Sequence, residues 1–198
     1  KEDLLSKSPK VLVLAGSLRK GSTNKKLAKI AASSAIKAGA DVTYIDLKDY
    51  PLPIYDGDIE DSEGLPQNAI KLKELMFQTD GFIFVSPEYN SSISAALKNM
   101  IDWTSRKATT EEVYLSCFID KMALILSASP SPMGGLRGLV HLRSILENIF
   151  TFVLPKQKVI PDSWNAFDDK GNLSNPKDQK EVEGLAELLV KTIQKMKQ

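Results

Sequence analysis

The chain has 198 residues, enough for one substantial hydrophobic core, so a single domain over residues 1–198 is expected. Lys and Arg total 26 against 25 Asp and Glu, and a net charge of +1 excludes a strongly basic nucleic-acid or membrane surface as the main partner. The single cysteine, Cys117, excludes an intrachain disulfide framework and cysteine-rich zinc spacings, and points to a reducing compartment, the cytoplasm. The longest apolar runs, FIFV and MALIL, fall far below the roughly 20 residues that span a bilayer, and the leading KEDLLSKSPK has no signal-peptide core.

In chain order, five short apolar runs alternate with helical patterns. KVLVLAG at 10–16 predicts a first strand buried on both faces, and a helical pattern follows near 24–38. DVTYID at 41–46 predicts the second strand. After it YPLPIYDGDIEDSEGLP at 50–66 reads as a solvated acidic loop. Its Asp56, Asp58 and Glu60 begin like a calcium loop, but Asp61 stands where that pattern needs Gly and Gln67 where it needs Glu. Helical spacing at 66–79, the strand GFIFVS at 81–86, helical spacing at 92–106 and the strand MALILSAS at 122–129 come next. A fourth helix is predicted near 136–150, a fifth strand in TFVLPKQKVI at 151–160, and a last helix at 177–197. In that last helix Val182, Leu185, Ala186, Leu189, Ile193 and Met196 share one face that would cover a sheet.

Strict alternation of strands and helices implies a parallel sheet with right-handed crossovers and helices on both faces, a three-layer α/β sandwich. Five strands suit the flavodoxin-like order 2-1-3-4-5 better than the six-stranded dinucleotide fold. In that order the ligand site lies outside the carboxyl ends of strands 1, 3 and 4, where the winding direction switches. Three segments fall there: SLRKGSTN at 17–24, PEYNSS at 87–92 and SASPSPMGGLRG at 127–138.

The first segment nearly matches a P-loop, with Gly16 and Gly21 at the required spacing, yet Ser22 occupies the place of the lysine. It leads into a helix whose orphan amides and positive dipole end favour an anion. Ser17, Ser22, Thr23 and Asn24 can donate to a phosphate and Arg19 can add a charge-assisted pair. Without the lysine or a Mg²⁺ partner, a monophosphate held for binding fits better than a triphosphate held for transfer. The alternative is that Ser22 or Thr23 only caps the helix and the glycines only serve a tight turn. In the second segment Pro87, Glu88, Tyr89 and Asn90 can offer amides to the edge of a planar heterocycle and an aromatic face beside it; the alternative for Tyr89 is rim packing. The third brings the hydroxyls of Ser127 and Ser129 and the close-approach glycines Gly134 and Gly135, or else serves only as a proline-stiffened connection.

A flat ring carrying one phosphate points to flavin mononucleotide (FMN). GSLRKGSTN, PEYNSSISAALKNMIDW and GGLRGLVHLRSIL together resemble the signature segments of the NADPH-dependent FMN reductase family, flavodoxin-like quinone, chromate and azo-dye reductases. The resemblance spans about residues 10–175 and includes PLPIYD and FDDKGNL. It implies that Ser17, Arg19, Ser22, Thr23 and Asn24 hold the FMN phosphate, that Pro87, Glu88, Tyr89 and Asn90 border the ring, and that Ser127 and Ser129 belong to a third flavin loop. It further implies hydride transfer from NADPH or NADH through FMN to a quinone-like acceptor, with assembly as a homodimer or homotetramer. The chain departs from the family where a glycine common in the third loop gives way to Ser131 or Pro132, which implies a different local loop shape.

Other chemistries fare less well. The only histidine, His141, has no Gly-x-Ser-x-Gly elbow to serve and reads as helix packing or surface contact. Cys117 reads as a packing residue and Trp103 as core or subunit contact. An electron carrier of the flavodoxin type would be more acidic than a chain of net charge +1, and a flavin-binding regulatory protein would lack NADPH turnover. Lys20, Arg106 and Arg137 are cationic candidates for a nicotinamide nucleotide's phosphate, with plain solvation as the alternative.

Overall fold

A computed structural model describes residues 8–197. Most of the leading stretch read above as lacking a signal core lies outside them. The elements run β1 (Lys10–Ala15), α1 (Thr23–Lys37), β2 (Asp41–Asp46), α2 (Gly57–Glu63), α3 (Gln67–Phe77), β3 (Gly81–Val85), α4 (Ala95–Thr104), β4 (Met122–Ala128), α5 (Leu136–Asn148), β5 (Phe152–Val153), β6 (Lys158–Ile160) and α6 (Pro176–Met196). All strand pairs are parallel, and the sheet order is β2-β1-β3-β4-β5 with β6 also paired to β4.

The central strands carry apolar side chains on both faces because helices cover both. One apolar cluster joins Val11, Val13, Ile83, Leu124 and Leu126 to Leu27 and Ala31 of α1 and to Val182, Leu189 and Ile193 of α6. The other joins Leu12, Leu14, Phe82, Phe84 and Ile125 to Leu72 and Met76 of α3, Leu97 and Met100 of α4, and Leu139 and Leu142 of α5. Alternate residues of each strand thus feed opposite cores, as the two-residue pleat requires. Each fully buried Leu or Ile contributes about 1.5–3 kcal/mol by leaving water.

Two sequence expectations change. The fifth strand is present as two pieces: β5 pairs Phe152 and Val153 with Met122 and Ala123, and β6 pairs Lys158, Val159 and Ile160 with Leu126, Ser127 and Ala128. Pro155 lies between them, and a proline has no amide to give to the ladder. The acidic loop at 50–66 contains a short helix, α2, capped by the Asp56 side chain accepting from the Asp58 amide at 2.9 Å. None of its residues is buried, so it carried no apolar period to read. The preceding segment is strapped onto α4: Asn99 Nδ2 and Trp103 Nε1 both donate to the Pro53 carbonyl at 2.8 Å. Trp103 itself is fully buried, a core residue.

Candidate functional site

The three predicted loops converge above β1, β3 and β4. Loop 1 starts where Gly16 donates to the Val85 carbonyl at 2.9 Å, extending the ladder by one residue. Gly16 is required by close approach, since a Cβ there would lie 2.9 Å from Leu97 Cβ and 3.1 Å from Ser94 Oγ. Ser94, the N-cap of α4, also donates its hydroxyl to the Gly16 carbonyl, so loop 1 and the start of α4 are tied together.

At the far end of loop 1, Ser22 caps α1, its Oγ accepting from the Lys25 amide at 3.4 Å. That bond uses a lone pair and leaves the hydroxyl proton available. The first helical amides, those of Thr23 and Asn24, have no partner in the helix's own ladder, and the dipole of a 15-residue helix adds positive potential there. The Asn24 side chain is held by Ala128. Nδ2 donates to the Ala128 carbonyl at 2.8 Å and Oδ1 accepts from the Ala128 amide at 2.9 Å, which fixes the side chain and leaves one Nδ2 proton and the main-chain amide of Asn24 for an anion. Thr23 Oγ1 donates to Ser163 Oγ at 3.2 Å.

Loop 2 is a tight hairpin. Tyr89 and Ser92 exchange amide-to-carbonyl bonds of 2.9 and 3.1 Å, and the two residues between them, Asn90 and Ser91, have φ of 51° and 65°. Two successive positive φ values define a type I′ turn, which asparagine tolerates at its first central position. The Glu88 side chain turns away from solvent to the start of α5, accepting from the Gly138 amide at 3.0 Å and pairing with Arg137 at 3.0 Å. Its carboxylate therefore anchors loop 2 to α5.

Ser17, Arg19, Ser22, Thr23, Asn24, Pro87, Glu88, Tyr89 and Ser129 line one cavity of about 190 Å³, together with Ala128, Pro130, Ser163 and Trp164. Two of the expected residues lie outside this cavity. Asn90 lies outside this cavity, in an adjoining hollow of about 670 Å³ that shares Tyr89 and includes Ile93, His141 and Ile145, because the type I′ turn carries it over the far side of the hairpin. Ser127 is buried below the cavity with its Oγ unpartnered. The Gly135 turn closes over it so tightly that a Cβ on Gly135 would lie 1.9 Å from Ser127 Oγ.

Sequence reasoning missed Ser163 and Trp164. They follow β6, which pairs with the upper half of β4, so they too stand at a carboxyl strand end beside the switch point. PDSW directly after the fifth apolar run was the available signal. Ser163 is fully buried, its amide bonded to the Ser129 carbonyl at 3.2 Å, whereas Trp164 is 73% exposed at the rim. Of the cationic candidates, Arg106 is engaged with Glu60 at 2.8 Å and Arg137 with Glu88. His141 Nδ1 lies 2.9 Å from Ser92 Oγ on the outer face of α5. Cys117 is fully buried, and burial pushes its thiol up to about 11, so it serves packing.

A parallel sheet of order 2-1-3-4-5 whose switch point gathers the start of α1 and two further loops defines a flavodoxin-like α/β protein. The chain belongs to the NADPH-dependent FMN reductase family, which it matches over residues 9–165. It is 33% identical over 188 residues to a probable NADPH:quinone oxidoreductase 2 of Oryza sativa subsp. japonica, covering 91% of this chain and 88% of that one. It is 37% identical over 156 residues to a quinone reductase of Escherichia coli K12, covering 77% of each. Among solved structures, the flavoenzyme NAD(P)H:(acceptor) oxidoreductase FerB of Paracoccus denitrificans superposes with a TM-score of 0.77 at 27% identity, covering 94% of this chain and 98% of that one. The protein is an oxidoreductase of the NAD(P)H-dependent FMN/quinone reductase type. Among the described residues no helix is long and apolar enough to cross a membrane.

Proposed function

We propose that the cavity holds the phosphate end of FMN and that hydride from NAD(P)H passes through this cofactor to a quinone-type acceptor. The observation that carries the reading is the donor set at the start of α1. The Thr23 and Asn24 amides, the Ser17 and Ser22 hydroxyls and the exposed Arg19 converge on one cavity wall, with no lysine of the P-loop kind among them. That set suits a dianionic monophosphate bound and left intact. When bound, FMN supplies a ring that accepts and releases hydride.

The chain's own part is to bind and orient. Ser17 and Ser22 direct hydroxyl protons to the phosphate, and Arg19 closes over it from the solvent side. The Pro87–Tyr89 backbone, which lines the same cavity, would border the ring of a bound FMN. Glu88 holds that backbone in place through α5. Tyr89, 48% exposed, and Trp164 leave an open approach between them for nicotinamide and acceptor in turn. No side-chain acid or base is needed, and no catalytic residue is assigned.

The quinone acceptor is drawn from the relatives named for that substrate. Exposed Leu136 and Val140 on α5, beside the hollow between α4 and α5, support a homodimer or homotetramer. Two apolar clusters flanking one sheet support a single domain, and a free buried cysteine suits the cytoplasm. The test is steady-state turnover of FMN-loaded protein with NAD(P)H and a benzoquinone. Quinone-dependent nucleotide oxidation is expected, and oxidation that does not respond to quinone would refute the assignment.

A further inference from the structure

The sheet ends at β5 and β6, and among the described residues no strand lies beyond them. Phe152 and Leu154 donate their amides to the Lys121 and Ala123 carbonyls at 2.8 Å each, so the N–H and C=O of Val153, between them, point away from β4 to the open edge. The side chains alternate along this edge, Val153 packing with the cluster of α5 and Leu154 with the cluster of α6. Phe152, two residues before Leu154, therefore projects on the α6 side, where it is 52% exposed. On that same side a groove of about 630 Å³ runs between residues 155–158 and α6, with Gly184, Leu185 and Leu188 in its wall. Gly184 stands inside the long helix α6, where glycine costs about 1 kcal/mol relative to alanine, and a Cβ on it would meet nothing within 4 Å. No contact within the chain asks for a glycine there; a body approaching α6 from outside does.

We propose that this edge is a two-fold interface with a second copy of the chain, in which the Val153 main chains pair antiparallel and Phe152 of each copy enters the groove of the other. In an antiparallel pair centred on Val153, Phe152 stands opposite the second copy's Leu154 with both side chains on one face, which brings its ring to the groove that begins at Pro155. The occupant is a second copy because a two-fold makes every contact twice. Pro155, which has no amide, stops the open edge two residues after Val153, so a foreign strand would gain one short row of bonds and leave Phe152 in water. The groove carries Lys156, which makes no ion pair among the described residues, on one wall and Glu181 on the other. A copy turned by the two-fold can set each lysine against the other's glutamate, and a net charge of +1 per chain adds little repulsion. This face is separate from the hollow between α4 and α5, so it adds a second two-fold to the assembly proposed there.

The test is the mass of the full chain by sedimentation velocity, over a concentration series from micromolar to millimolar, for the wild type, Phe152→Lys and Gly184→Gln. Glutamine is a better helix former than glycine, so Gly184→Gln should keep its helical circular dichroism while its side chain fills the groove. The wild type is expected to form an even-numbered assembly and each variant to have half its mass. The Val153 amide should exchange with deuterium about tenfold faster in the variants, whereas a damaged fold would speed exchange throughout the sheet. FMN retention should be the same in all three proteins, since neither residue lines the flavin cavity. Variants of unchanged mass, or a Val153 amide that exchanges equally fast in all three, would overturn the inference. So would a wild type that stays monomeric at millimolar concentration, which would leave the groove to a foreign segment.

Discussion

Asn24 clamps Ala128 across 104 positions of sequence, its side-chain amide donating to the Ala128 carbonyl at 2.8 Å and accepting from the Ala128 amide at 2.9 Å. One side chain thereby fixes the start of α1 against the end of β4, and so sets the spacing between the first and third loops. Both bonds are buried. Asn24→Ala should lower the unfolding free energy by about 2–4 kcal/mol, since each buried polar group left unpaired costs roughly 1–3 kcal/mol. Asn24→Asp should fall between, because a carboxylate still accepts from the Ala128 amide but faces its carbonyl. Chemical denaturation checks both, and a loss below about 0.5 kcal/mol in the alanine variant, the range of an ordinary surface change, would show that the clamp does not carry the loops.

Arg19 is exposed and belongs to the cavity wall, so its removal should affect ligand more than fold. Arg19→Ala is expected to weaken FMN binding by about 1–3 kcal/mol, the range of a hydrogen bond to a charged group. Fluorescence titration of FMN reads this directly, and an unchanged affinity would remove Arg19 from the site.

Ser127 gives the opposite expectation. Its hydroxyl is fully buried without a partner, so Ser127→Ala removes a polar group that gains nothing from folding. The variant should keep wild-type FMN affinity and be as stable as the wild type or more stable by up to about 1 kcal/mol. Weakened FMN binding in that variant would return Ser127 to the site.

Sequence and structure agree where the chemistry is local. The β1, β3 and β4 runs are apolar on both faces, and two covered faces are what their burial shows. Ser22 and Ser94 sit at helix starts and cap them. The agreement stops where a residue's role depends on a distant partner. Nothing near Asn24 tells that its side chain is held by Ala128, and nothing near Ser127 tells that the Gly135 turn seals it off. The left-handed pair Asn90 and Ser91 swings one predicted residue into a neighbouring hollow, and Ser163 and Trp164 arrive from beyond the third loop. The family resemblance marks which segments gather; only the fold sorts main-chain donors from side chains already committed.

Acid stability should report the Lys73–Glu112 pair, which pins the segment after α4 to α3. Lys73 Nζ lies 2.6 Å from Glu112 and also donates to the Thr104 and Arg106 carbonyls. Burial acts to raise the Glu112 carboxyl, but the Lys73 ammonium, the Ala108 amide and the Ser116 hydroxyl outweigh it and hold the group below its ordinary 4.5. A depressed folded value means that the stabilisation is full above pH 4.5 and fades as pH falls through the folded pKa. Glu112→Ala should cost about 3 kcal/mol at neutral pH by leaving Lys73 buried without its counter-charge. Its stability should also fall less steeply below pH 4.5 than that of the wild type, and parallel acid limbs in the two proteins would contradict the assignment.

The central claim is that the donors at the start of α1 hold FMN where NAD(P)H can reach it. The most direct measurement is the visible spectrum of the protein after incubation with FMN and desalting, followed by addition of NADPH without oxygen. Flavin absorbance that survives desalting and bleaches on NADPH is the predicted result. Loss of all flavin on desalting, or retained flavin that NADPH leaves oxidised, would contradict the account.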